Sequence, residues 1–259
     1  MGSVAKWRAQ HPEALLANLA DRRDLVDADI ELLRGIKALN IRAFSEGGVA
    51  QSSLTDAALQ HLAGSLHTLN IAGQPHLTDA SFAHLAGLQN LNMSRCKGIT
   101  AAGLQHLAGS IRLLTMSHCT AAATDAGLRC LAGIQTLDVS ECREAKFGDE
   151  GLSALAGIRE LDLSFCHEAA FSDAAFVALR GVQSLKLREC FKASVTDAAL
   201  APLKGIRALD IRGITSPYLT DASFANLVGI ADLWLDESRK GGWLVGAPCV
   251  NALSASFRS

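Results

Sequence analysis

Apolar residues recur along this chain in one fixed figure. In Ile134-Gln-Thr-Leu-Asp-Val-Ser-Glu-Cys142 they stand first, fourth, sixth and ninth, and the figure returns as Ile158-Arg-Glu-Leu-Asp-Leu-Ser-Phe-Cys166 and Val182-Gln-Ser-Leu-Lys-Leu-Arg-Glu-Cys190. Self-similarity at a period of 20–29 residues marks supersecondary units that bury their apolar faces only by stacking. Nine units begin at Leu25, Leu54, Leu77, Ile99, Ala123, Phe147, Phe171, Val195 and Leu219. The first is lengthened by the polar insertion Ser45–Ser53.

Each unit has a strand half and a helix half. Pairs such as Leu39/Ile41, Leu91/Met93, Leu161/Leu163 and Leu209/Ile211 alternate with polar residues, which sets one face of a strand against a core. In the helix half, Thr55-Asp56, Thr78-Asp79, Thr124-Asp125, Ser172-Asp173, Thr196-Asp197 and Thr220-Asp221 offer a capping hydroxyl and a first-turn carboxylate. Apolar pairs three apart, Leu59/Leu62 to Phe224/Leu227, follow on the inward face, and a glycine (Gly64, Gly87, Gly109 and so on to Gly229) stops each helix. Helices of about seven to nine residues are expected, held by packing rather than propensity.

The pattern therefore predicts an α/β solenoid: a leucine-rich repeat horseshoe of about nine repeats of 22–29 residues, with a concave parallel sheet and short convex helices. Residues 1–24 are expected to form an N-terminal cap, with an amphipathic helix starting at Pro12 and carrying Leu15, Leu16 and Leu19. Residues 25–238 make the repeats. Residues 239–259 make a C-terminal cap, with Trp243, Leu244 and Val250 expected to cover the open end.

The figure Leu-x-x-Leu-x-Leu-x-x-Cys followed by Thr-Asp-x-x-Leu-x-x-Leu resembles the cysteine-containing class of leucine-rich repeats, as in F-box substrate receptors of ubiquitin ligases. The resemblance covers about residues 25–238 and implies an adaptor or substrate-recognition role. Two departures stand out. The period is 22–24 rather than about 26, and the segment before Leu25 lacks the Leu-Pro opening of an F-box.

Composition narrows the picture only a little. A net charge of −2 and the absence of a long apolar run lead to the expectation of neither nucleic acid nor membrane as partner. Seven cysteines, an odd number with five at one repeat position, read as reduced thiols in an intracellular protein, cytoplasmic or nuclear. That column, Cys96, Cys119, Cys142, Cys166 and Cys190, reads as buried slot-filling thiols, because neighbours at the strand spacing of about 4.8 Å stand too far apart for a disulfide. A second column, His61, His84, His106 and Cys130, has metal-compatible ligand types but reads as solvated. The glycosylation match Asn92-Met93-Ser94 falls on a strand and reads as chance.

The concave face carries the functional expectation. Its first four repeats present Asn40, Thr68, Asn70, Asn90, Asn92, Thr115 and others without a carboxylate. Its last five present Asp138, Glu141, Glu160, Asp162, Glu189, Asp210, Asp232 and Asp236 against Lys186, Arg188 and Arg212, with Phe165 and Trp234 among them. These thirteen residues are the candidate partner-binding set, for another protein with a basic or mixed-charge surface. No phosphate-cradling loop or nucleophile elbow occurs, and the carboxylates line an open face expected to have no pocket. The expectation is a non-enzymatic protein–protein interaction module without cofactor or metal. A structural component of a larger assembly, or an inhibitor wrapping an enzyme, is the alternative.

Overall fold

A computed structural model describes residues 3–43, 52–214 and 216–235. The chain divides into an N-terminal unit, Met1–Ala122, and a C-terminal unit, Ala123–Ser259. Each is a stack of leucine-rich repeats with a parallel sheet.

In the N-terminal unit the strands are β1 (Leu16–Asn18), β2 (Ala38–Asn40), β3 (Thr68–Asn70), β4 (Asn90–Asn92) and β5 (Leu113–Thr115). Each pairs with the next in parallel register, so that Ala17, Leu39, Leu69, Leu91 and Leu114 form one buried column. The helices are α1 (Val4–Gln10), α2 (Asp27–Glu31), α3 (Asp56–Gln60), α4 (Asp79–Phe82) and α5 (Ala101–Leu104). In the C-terminal unit β6 (Thr136–Asp138), β7 (Glu160–Asp162), β8 (Ser184–Lys186), β9 (Ala208–Asp210) and β10 (Asp232–Trp234) pair in the same way. Helices α6 (Asp125–Arg129), α7 (Asp149–Ser153) and α8 (Asp173–Ala178) are followed by the 3₁₀ segments Asp197–Leu203 and Asp221–Leu227. Helices α2 to α8 are four to six residues long, shorter than the spacing predicts. In Asp197–Leu203, Pro202 removes a backbone donor that an α-helix would use.

The stack is held by one bond set repeated. The first-turn aspartate of one helix accepts from both the backbone N–H and the hydroxyl of the next repeat's N-cap. Asp56 holds Thr78 at 2.7 and 2.5 Å, Asp149 holds Ser172 at 2.8 and 2.7 Å, and Asp173 holds Thr196 at 2.7 and 2.6 Å. The Thr-Asp dipeptide thus caps its own helix and joins its neighbour. Where Gly148 supplies no hydroxyl, Asp125 Oδ1 takes the N–H groups of Gly148 and Gly151 instead, at 2.9 and 2.8 Å. A Cβ on Gly151 would stand 2.5 Å from that oxygen, so any side chain there would displace the Asp125 carboxylate.

The buried thiols serve the same end. Cys96 Sγ donates to the Ile71 carbonyl at 3.2 Å, Cys119 to Met93 at 3.1 Å, Cys166 to Val139 at 3.3 Å and Cys190 to Leu163 at 3.2 Å. Gln74 takes the place of the thiol in its repeat and donates through Nε2 to the Ile41 carbonyl. Burial pushes the Cys96, Cys119 and Cys190 thiols up to about 12, so they stay protonated donors.

The N-terminal expectation needs correction. The helix lies before Pro12, not after it: Ser3 Oγ caps α1 by accepting from the Lys6 N–H at 3.2 Å. Beyond Pro12 the chain becomes β1, a tenth strand whose inward residue is Ala17 rather than leucine. The proline's fixed φ and missing N–H favour the extended course. Most of the inserted loop Ser45–Ser53, and Trp243, Leu244 and Val250, lie outside the described residues.

Candidate functional site

Every strand buries its middle residue and exposes or half-exposes the two beside it, giving two columns on the sheet face. Asp210 is the exception on this face, buried at 4% exposure. In the C-terminal unit the register places Asp138, Asp162, Lys186, Asp210 and Trp234 side by side in one column, and Thr136, Glu160, Ser184, Ala208 and Asp232 in the other.

The aspartates of the first column have a duty in the backbone. Asp138 Oδ1 accepts from the Ser140 N–H at 2.9 Å, Asp162 Oδ1 from Ser164 at 2.9 Å and Asp210 Oδ1 from Arg212 at 3.2 Å. Each bond closes a tight turn in which an Asx side chain caps the amide two residues on. In the N-terminal unit Asn18, Asn40, Asn70 and Asn92 make the same bond to Ala20, Arg42, Ala72 and Ser94. The acids of this column are therefore turn caps first. Two of them also take cations: Lys186 Nζ lies 3.1 Å from Asp162 Oδ2, and Arg212 grips Asp210 with Nε donating to the capping Oδ1 at 2.9 Å and Nη2 to Oδ2 at 2.5 Å. The carboxylate of Asp162 holds the Lys186 ammonium above its ordinary value.

Three residues beyond each column residue from Asp138 to Asp210 the backbone turns left-handed. Glu141, Phe165 and Glu189 have φ of 60°, 63° and 57°, and the corresponding position in the next repeat is Gly213 at 78°. Side chains at such φ are strained by about 1–2 kcal/mol. Here the strained turn displays Phe165 and Glu141 at the margin of an open groove of about 410 Å³. Its walls are Glu141, Asp162, Phe165, Lys186, Arg188, Asp210, Arg212 and Trp234, with Ser140 and Ser164 completing them. The face thus does have a recess, contrary to the sequence expectation. The Arg188 guanidinium sits 5.1 Å above the Phe165 ring, a cation–π contact. That ring meets His167 edge-on at 6.4 Å, and His167 packs against Phe191 at 4.9 Å. Trp234 remains 40% exposed.

Eight of the thirteen candidate residues thus come together in the groove. Asp138 and Glu189 adjoin it: Asp138 caps its turn, and Glu189 lies 3.7 Å from Arg188. Glu160 and Asp232 are exposed in the other column. Asp236 lies outside the described residues. The sequence reading missed Ser140, Ser164, His167 and Phe191. The last two follow Cys166 and Cys190 directly, and an aromatic or imidazole repeated at one position was the available signal. Among the described residues no three His, Cys, Asp or Glu side chains meet as a metal site, and His61, His84, His106 and Cys130 do not converge. The six described cysteines form no disulfide, and no helix among the described residues is long and apolar enough to cross a membrane.

No protein-family model matches the chain, and no curated protein does. Solved structures do. A crystal structure of a TLR13–ssRNA13 complex matches over 80% of this chain at 19% identity, with a TM-score of 0.47. The chain spans only 36% of the length of that TLR13 chain. Human 5T4 (Wnt-activated inhibitory factor 1, trophoblast glycoprotein) matches over 68% of this chain and 69% of its own, at 21% identity and a TM-score of 0.50. The first of these is the structure of a complex with single-stranded RNA, which stands against the expectation that set nucleic acid aside as a partner. What this chain is similar to, in both cases, is the leucine-rich repeat solenoid.

Proposed function

We propose that this chain is a non-enzymatic binding module that holds a partner protein on the sheet face of its C-terminal unit. The observation that carries the reading is the groove in which Phe165, Arg188 and Trp234 stand together among paired charges. Aromatic rings and arginine at the centre of a polar surround are where interface free energy concentrates. The ion pairs Lys186–Asp162 and Arg212–Asp210 already fix two of the long side chains, so association costs less conformational freedom. Because those acids are engaged, the anchors for a partner are the Phe165 ring, Arg188 and Trp234. The adaptor or substrate-recognition role implied by the resemblance, and an intracellular setting, belong to the same proposal. What supports the resemblance behind them is the cysteine column itself, whose buried thiols donate to carbonyls of the preceding repeat.

The test is affinity capture from the native source with the wild-type chain and the R188A/W234A variant, read by quantitative mass spectrometry. Proteins held by the wild type are expected to fall at least about tenfold with the variant, which corresponds to about 1.4 kcal/mol. Equal recovery on a variant with unchanged melting temperature contradicts the assignment.

A further inference from the structure

The turn-capping bond uses asparagine and aspartate alike, since either accepts through Oδ1. The fold is therefore indifferent between them, and the choice at each repeat shows in the remaining atom. In the C-terminal unit that atom is Oδ2, which at Asp162 and Asp210 receives Lys186 and Arg212. In the N-terminal unit it is Nδ2. The Nδ2 groups of Asn18, Asn40, Asn70 and Asn92 donate to nothing among the described residues, while their Oδ1 atoms are committed to the turns. Parallel register puts these four amides in one row, continued by Thr115.

We propose that this row is a second docking strip, for an extended acidic peptide segment of a partner protein. Four strands at about 4.8 Å spacing set the outer donors about 14 Å apart, the reach of roughly four extended residues. Ionised acceptors form the stronger bonds to such donors. None of the ten sheet-face residues of β1 to β5 is charged, so no carboxylate on them opposes an acid. Between Asp79 and Asp125 the chain has no acidic residue, only the cations Arg95, Lys97 and Arg112. In the parallel column Leu16 and Leu113 are 68% and 39% exposed, apolar landing points for the side chains between the acids. The same ten positions hold no aromatic ring, so there is no platform on which nucleic-acid bases stack.

The discriminating variant is N70D/N92D in the full chain. It keeps both turn caps, as Asp138 and Asp162 do, and replaces two donors by carboxylate oxygens. A labelled peptide of alternating Glu and Leu is titrated by fluorescence anisotropy, beside its Lys-Leu counterpart and an oligouridylate. The acidic peptide is expected to bind the wild type and to bind the variant at least about tenfold more weakly. The Lys-Leu peptide should gain affinity for the variant, and a melting temperature shifted by less than about 2 °C shows that the change is not misfolding. Three results overturn the proposal: no binding of the acidic peptide to the wild type at about 1 mM, equal binding to both proteins, or binding of the oligouridylate alone.

Discussion

At the residue scale, a carboxylate or carboxamide ending seven of the ten strands closes the turn that follows, and its second atom is what the surface offers. Asp162→Ala should cost about 1 kcal/mol by leaving the Ser164 N–H uncapped, whereas Asp162→Asn keeps the cap and should cost less than half of that; urea unfolding of both variants checks the pair. Asp210 is a poor choice for probing binding. It is buried against Arg212, so its removal leaves a guanidinium without its carboxylate and unsettles the turn as well. The thiols divide by burial in the same way. Cys96, Cys119 and Cys190 are buried with pKa values pushed up to about 12, while Cys130, the C-cap of α6, is partly exposed and less perturbed. Among the described cysteines, Cys130 should therefore alkylate first when native protein at pH 8 is treated with iodoacetamide and mapped by mass spectrometry.

At the element scale, the short helices depend on their ends. Gly181 closes the segment after α8 at a φ of 87°, and a Cβ built there meets nothing within 4 Å. Gly181→Ala thus isolates the backbone term and should destabilise by about 1 kcal/mol in thermal or urea unfolding, with no steric contribution. The staples between repeats carry a pH dependence. The hydroxyl and N–H of Thr220 hold the Asp197 carboxyl below its ordinary value. A carboxyl depressed in the folded state contributes stability that is present above its unfolded pKa and lost as pH falls through the folded one. Melting temperature should accordingly drop on acidification below about pH 4, and D197N should flatten that drop. The existence of these elements was legible in the spacing of leucines and in the Thr-Asp dipeptides. The partner of each aspartate was not, because a cap inside one helix and a staple to the next read identically in one dimension. The strand β1 was hidden for a related reason: Ala17 stands where other strands carry leucine, and Pro12 resembles a helix start.

At the scale of the whole molecule, each unit presents a sheet face, and the two faces differ in chemistry: carboxamides and threonine in the N-terminal unit, paired charges with aromatics in the C-terminal unit. That contrast was visible in sequence as a count of acids. Its meaning was not, since Asp138, Asp162 and Asp210 are turn caps and two of them are neutralised. What remains for recognition is narrower than the thirteen candidates, centred on Phe165, Arg188 and Trp234. The measurement that tests this most directly is site-specific photo-crosslinking, with benzoylphenylalanine placed at Phe165 on the sheet face or at Val177, 60% exposed on α8. A binding module of the kind proposed predicts that a partner crosslinks at Phe165 and not at Val177. Crosslinking at Val177 with none at Phe165 would contradict it and assign the contact to the helices.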